Sequence, residues 1–86
     1  MLKFTTHNLK KVQNLLEELN YIVRYEKGSF QSGYCLVENN KIVLINKFYD
    51  NEGRINCMLD ILSKVEINEA LFSEKSLQFY KKLFNL

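Results

Sequence analysis

Tyr34-Cys35-Leu36-Val37-Glu38-Asn39-Asn40-Lys41-Ile42-Val43-Leu44-Ile45-Asn46 reads as two strands, residues 34–38 and 41–46, joined by a two-residue turn. Aromatic and β-branched residues suit a pleated surface, and an Asn pair tolerates the positive φ that a type I′ hairpin requires. Both strands are apolar almost without interruption. Strands of that kind are normally covered on both faces, so helices or a partner are expected over much of each side.

Upstream, Gly28, Ser29, Ser32 and Gly33 around Phe30 mark residues 26–33 as a loop or the bulged start of a strand. Before them, Tyr21-Ile22-Val23-Arg24-Tyr25 reads as a strand with Tyr21, Val23 and Tyr25 on one face and Ile22 and Arg24 on the other. Leu9, Val12, Leu15, Leu16 and Leu19 form a single stripe at helical period, and Thr5 or Thr6 can cap that helix. Downstream, Asp50 or Asn51 can cap a second helix to about residue 64, with Ile55, Met58, Leu59, Leu62 and Val65 on its stripe. Ser73 caps a third over residues 74–83 that buries Leu77, Tyr80, Leu83 and Phe84, while Ile67, Leu71 and Phe72 pin the link to the core. The order αβββαα lacks alternating βαβ units. The fold class is therefore α+β, a three-stranded antiparallel meander with one N-terminal and two C-terminal helices. Leu15, Leu19, Val43, Ile45, Leu59 and Leu62 are its expected main core.

Eighty-six residues allow one domain, spanning residues 1–86, and too small a core for a deep cleft. No apolar run approaches the ~20 residues of a membrane-spanning helix. The start, Met1-Leu2-Lys3-Phe4-Thr5-Thr6-His7, has no apolar export segment, which points to the cytoplasm. Twelve Lys plus Arg against ten Asp plus Glu give +2, with the excess in residues 21–49 (four basic against two acidic). That is far from the balance of a protein that tracks a phosphate backbone. Ten Asn and ten Lys against two Arg, one Ala and no Pro suggest an AT-rich bacterial origin.

Chemistry finds few footholds. A single His7 and two distant cysteines, Cys35 and Cys57, form no zinc spacing, and both cysteines read as small buried residues. No metal or cofactor is expected. Gly28 and Gly33 precede a strand, not a helix, so no phosphate loop is present. Glu17 and Glu18 are adjacent on a helix and diverge by about 100°, which makes them surface charges rather than a carboxylate pair. The segment Arg24-Tyr25-Glu26-Lys27-Gly28-Ser29-Phe30-Gln31-Ser32-Gly33-Tyr34 mixes cations, aromatics and glycines as single-strand nucleic-acid surfaces do. It lacks the aromatic spacing of an RNA-recognition sheet, and the chain lacks that sheet's fourth strand. The same aromatics also suit a small core shielded by Arg24 and Lys27.

The run Gly28-Ser29-Phe30-Gln31-Ser32-Gly33-Tyr34-Cys35, with Asn46-Lys47 and Glu52-Gly53-Arg54, resembles a family of uncharacterised small proteins of Bacteroidota-type bacteria over residues 10–65. That resemblance implies no activity. Over residues 9–65 the order of helix, short meander, apolar strand plus Asn and Arg-bearing helix is similar to the core of ImmA/IrrE-type zinc metallopeptidases. Those need His-Glu-x-x-His; with Asp60 at the Glu position, Leu59 and Ser63 stand where both histidines belong. The resemblance then implies a metal-free scaffold.

The reading is a cytosolic, non-enzymatic domain that works by contact with another protein. Its working surface is assigned to Arg24, Tyr25, Lys27, Phe30, Tyr34, Lys47 and Arg54, gathered at one end of the sheet. Both arginines of the chain fall in this set, and a planar guanidinium suits a fixed carboxylate or phosphate. An internal pairing of Arg54 with Glu52 or Asp50 is the bland alternative. A single-stranded nucleic-acid module using the same loop, a degenerate zincin-like scaffold or very small enzyme using His7, Cys35 and Cys57, and self-association remain open alternatives.

Overall fold

The computed structural model describes residues 2–28, 33–37 and 39–86. Helix α1 (Thr6–Glu18) is followed by β1 (Ile22–Glu26), β2 (Tyr34–Val37) and β3 (Ile42–Asn46), then α2 (Asn51–Lys64), a 3₁₀ turn at Glu69–Leu71 and α3 (Glu74–Phe84). Each helix starts where a short polar side chain satisfies an otherwise orphaned amide. Thr5 Oγ1 accepts from Asn8 N (3.1 Å), Asp50 Oδ1 from Gly53 N (2.9 Å) and Ser73 Oγ from Ser76 N (3.2 Å). No helix among the described residues is long and apolar enough to cross a membrane.

The sheet departs from the expected meander. Its order is β1-β3-β2, with β3 antiparallel to β2 but parallel to β1, Ile22 opposite Ile42 and Glu26 opposite Asn46. The reason lies in the strands and in the length of the first connection. Ile42-Val43-Leu44-Ile45 is the most apolar strand and gains most from the centre, whereas β1 carries Arg24 and Glu26, which suit an edge. Stepping over one strand is a span of about 10 Å, and the seven residues 27–33 reach about twice that.

Among the described residues the last pair of the hairpin is Val37–Ile42, and positive φ falls on Lys41 (51°) and not on Asn39 or Asn40, as the expected type I′ turn would require.

Helices α1 and α2 pack against each other and against one face of the sheet, and α3 packs on α1. Leu9, Val12, Leu15 and Leu16 of α1 and Leu19 at its C-cap meet Val43 and Ile45 of β3 and Ile55, Met58, Ile61 and Leu62 of α2 in one core. Val43 and Ile45 are 0% exposed, each contributing about 1.5–3 kcal/mol through burial. Several inward assignments change. Of the four α3 residues expected to be buried only Tyr80 is, while Leu77, Leu83 and Phe84 are half-buried against the core. Leu59 is only half-buried and Ile61 takes its place, because α2 is apolar at 57, 58, 59, 61 and 62 and its periodicity leaves the rotation to packing. Leu71 is 40% exposed and only Phe72 and Ile67 anchor the link, with Phe72 against Tyr80 at 5.4 Å between ring centroids. Cys35 is exposed, since it lies on the sheet face that no helix covers, while Cys57 is buried.

Candidate interaction surface

Alternation along the strands sorts the sheet into two faces. Val23, Tyr25, Tyr34, Leu36, Val43 and Ile45 point into the helical core. Ile22, Cys35, Val37, Ile42 and Leu44 point the other way, in register across all three strands, and none belongs to the core. Ile22 is 57% exposed, Cys35 is exposed and the other three are half-exposed. Among the described residues nothing is layered over them. The molecule is accordingly a thin slab, 35 × 30 × 17 Å, with one apolar sheet face open.

At the end of the sheet where β1 and β3 finish, the chain crosses into α2 and several of the expected site residues do meet. The Arg54 guanidinium stacks over the Tyr25 ring, 4.5 Å from its centroid, and Nη2 donates to the Lys47 carbonyl at 2.8 Å. Its Nε is buried and, among the described residues, finds no hydrogen-bond partner. The expected alternative, a pairing with Glu52 or Asp50, is not the one formed. Tyr25 donates its hydroxyl to Gln13 Oε1, and burial raises its pKa, with Arg54 opposing and Glu17 adding to the rise. Arg54 therefore works as an internal fastener between α2, β1 and the end of β3.

Tyr49 completes this fastening. Its ring lies so close to two glycines that a Cβ on Gly33 would sit 2.4 Å from Cε2 and one on Gly53 2.8 Å from Cδ2. Gly33 also holds φ +84°, which side chains resist. Its carbonyl accepts from Asn46 N, and the Glu26 carbonyl accepts from Lys47 N, so both ends of residues 27–33 are tied to the exit of β3.

The other expected site residues disperse. Arg24 pairs with Glu26 at 3.1 Å on the open face, both side chains well exposed, a contact of little energetic weight. Lys27 is exposed, and Phe30 lies outside the described residues. Lys47 reaches over the exposed ring of Phe48 (5.5 Å). Tyr34 turns inward to a separate cluster, donating to Asp60 Oδ2 at 2.6 Å, with Lys64 Nζ 3.1 Å from both oxygens. The bond to Asp60 pushes the Tyr34 pKa up, and the bond from Tyr34, aided by Lys64, holds the Asp60 carboxyl below its usual range. Cys57 has its thiol pKa raised by burial and then by Asp60.

His7 lies in a shallow depression on the outer side of α1 with Lys10 and Glu17, and neither cysteine lines it. Among the described residues no three of His, Cys, Asp and Glu gather as a metal site would need. Comparison with known proteins returns no matching family model, no matching curated protein and no matching solved structure.

The open face is the surface that residue-by-residue reading did not name. Its signal was present in the uninterrupted apolarity of 34–37 and 42–45, which asks for cover on both sides. What was missing was the knowledge that all three helices leave the same side bare.

Proposed function

We propose that this chain is a cytosolic, non-enzymatic contact domain whose open sheet face, Ile22, Cys35, Val37, Ile42 and Leu44, docks another protein. The observation that carries the reading is that face: apolar residues of all three strands lie in register on the side of the sheet that, among the described residues, no helix covers. A contiguous apolar patch in register marks a contact site more than scattered exposed residues do.

The patch also bears on the occupant. Three strands at about 4.8 Å spacing and five residues at about 3.3 Å rise give roughly 250 Å² of flat area, against about 800 Å² per partner in a standard interface. A second copy held by this face alone would dissociate readily. The occupant is a different protein that covers the face and continues past its edge. With Arg54 engaged internally and Arg24 paired to Glu26, the guanidiniums are not arrayed for a phosphate backbone, which favours protein over nucleic acid.

Affinity capture from the source cell, with and without nuclease, tests the reading. The native chain should retain one protein partner under both treatments, Leu44→Lys should lose it, and Lys75→Glu on exposed α3 should keep it. A partner that survives Leu44→Lys, or bound material that vanishes with nuclease, overturns it.

A further inference from the structure

A second surface owes nothing to the sheet. Where the N-terminal segment passes α1, α2 and α3, a half-enclosed groove of about 600 Å³ opens, within the range of small-ligand sites, about 300–1,000 Å³. Its floor is apolar: Leu2 of the N-terminal segment, Leu59 of α2, and Phe79 and Leu83 of α3 come from three separate segments. Leu59 is the residue that α2 withholds from the core, and Phe79 and Leu83 are likewise only half-buried.

The rim is cationic. Lys3, Lys11 and Lys82 come from three different segments to one opening, and among the described residues the lining contains no Asp or Glu. The whole chain carries only +2, so the three charges gathered here exceed its net charge. Two of these positions are set by contacts. Lys11 Nζ stands 4.2 Å from the centroid of the Phe79 ring, which fixes an ammonium beside the apolar floor. Asn8, also in the lining, donates its side-chain amide to the Lys3 carbonyl at 2.9 Å and ties the N-terminal segment to α1.

We propose that this groove binds a free anionic amphiphile, a molecule with an aliphatic or aryl body for the apolar floor and a carboxylate or phosphate head for the lysines. Apolar burial supplies affinity, and the ammonium groups select the charged head over a neutral one of equal length. The groove is distinct from the open sheet face, so the two assignments stand or fall separately. Its short, pit-like shape suits one small molecule rather than a partner helix, which reads as a longer row of anchors.

NMR titration of the intact chain with octanoate and with 1-octanol is the test. Octanoate should give saturable shifts at Leu2, Leu59, Phe79 and Leu83, with 1-octanol about tenfold weaker. Lys11→Glu combined with Lys82→Glu should weaken octanoate about tenfold and leave 1-octanol unchanged. A milder pair, Lys3→Gln with Lys82→Gln, keeps the Lys11–Phe79 contact and guards against a folding defect; it should weaken octanoate in the same direction. Equal binding of the acid and the alcohol, shifts centred on Ile42 and Leu44, absence of saturation, or undiminished affinity in both folded variants would each overturn the assignment.

Discussion

Val43 and Ile45 differ from Ile42 and Leu44 by one step along the same strand, yet the first pair is sealed and the second faces outward. Hydrophobicity does not separate them. What separates them is the side on which α1 and α2 lie, a tertiary choice made by those helices' own stripes. The contrast teaches that strand apolarity states a demand for cover, while the fold decides whether the chain meets that demand itself or leaves it to another molecule.

The largest expected effect lies on the covered side. Ile45→Ala should cost about 2–5 kcal/mol in urea unfolding, whereas Leu44→Ala should cost about 1 kcal/mol or less and Ile22→Ala should stay within about 0.5. Equal losses from Ile45 and Leu44 would break the comparison, because they would mean that the outward face is packed in the isolated chain.

The fastening at the sheet's end comes next. Gly33→Ala combines a left-handed backbone with a clash against Tyr49, and a loss of about 1–3 kcal/mol is expected. Thermal unfolding of the variant reads it directly; an unchanged midpoint would show that Tyr49 does not sit between the two glycines. Arg54→Ala should cost about 1–2 kcal/mol by removing the Tyr25 stack and the bond to Lys47, with Arg54→Lys recovering only part, since an ammonium cannot do both.

These contacts show how far the sequence could be read. Helices, caps and strands were legible because they depend on neighbours within four residues: Thr5, Asp50 and Ser73 each cap as their spacing suggests. The inward faces of β1 and β3 were legible for the same reason. Strand order was not, because residues 27–33 state only a length, and whether the chain turns back or steps over β3 is settled by which strand gains most from the centre. The rotation of α2 was hidden by its surplus of apolar residues, and the meeting of Arg54, Tyr25 and Lys47 was legible only as a shared end of the sheet, without its inward geometry.

The smallest effect is a pH dependence on the covered side. Glu18 links α1 to α3 by accepting from the Ser73 amide (2.6 Å) and the Ser76 hydroxyl. Burial alone would raise its pKa, but the bonds from Ser76, the Ser73 amide and Asn14 outweigh it and hold the carboxyl below its ordinary 4.5. The folded chain thus binds fewer protons than the unfolded one in this range, so the contribution is complete above the unfolded pKa and is lost as pH falls through the folded one. Glu18→Gln should flatten the acid limb of stability measured by urea midpoints below pH 5 and leave the open face unaffected. An acid limb identical to the native one would remove Glu18 from the account.

The central claim, that the outward face of the sheet is where another protein sits, can be probed through Cys35. This cysteine is exposed on that face, while Cys57 is buried with its thiol pKa raised, so a thiol-reactive photo-crosslinker can be placed on Cys35 selectively. Irradiation in extract of the source cell, followed by mass spectrometry of the adducts, should give one discrete heterologous protein adduct. That adduct should be absent with Leu44→Lys and absent when the label is moved to residue 75 on α3 in a Cys35→Ser background. The same adducts from both positions, an adduct that persists with Leu44→Lys, or only self-adducts would contradict the account.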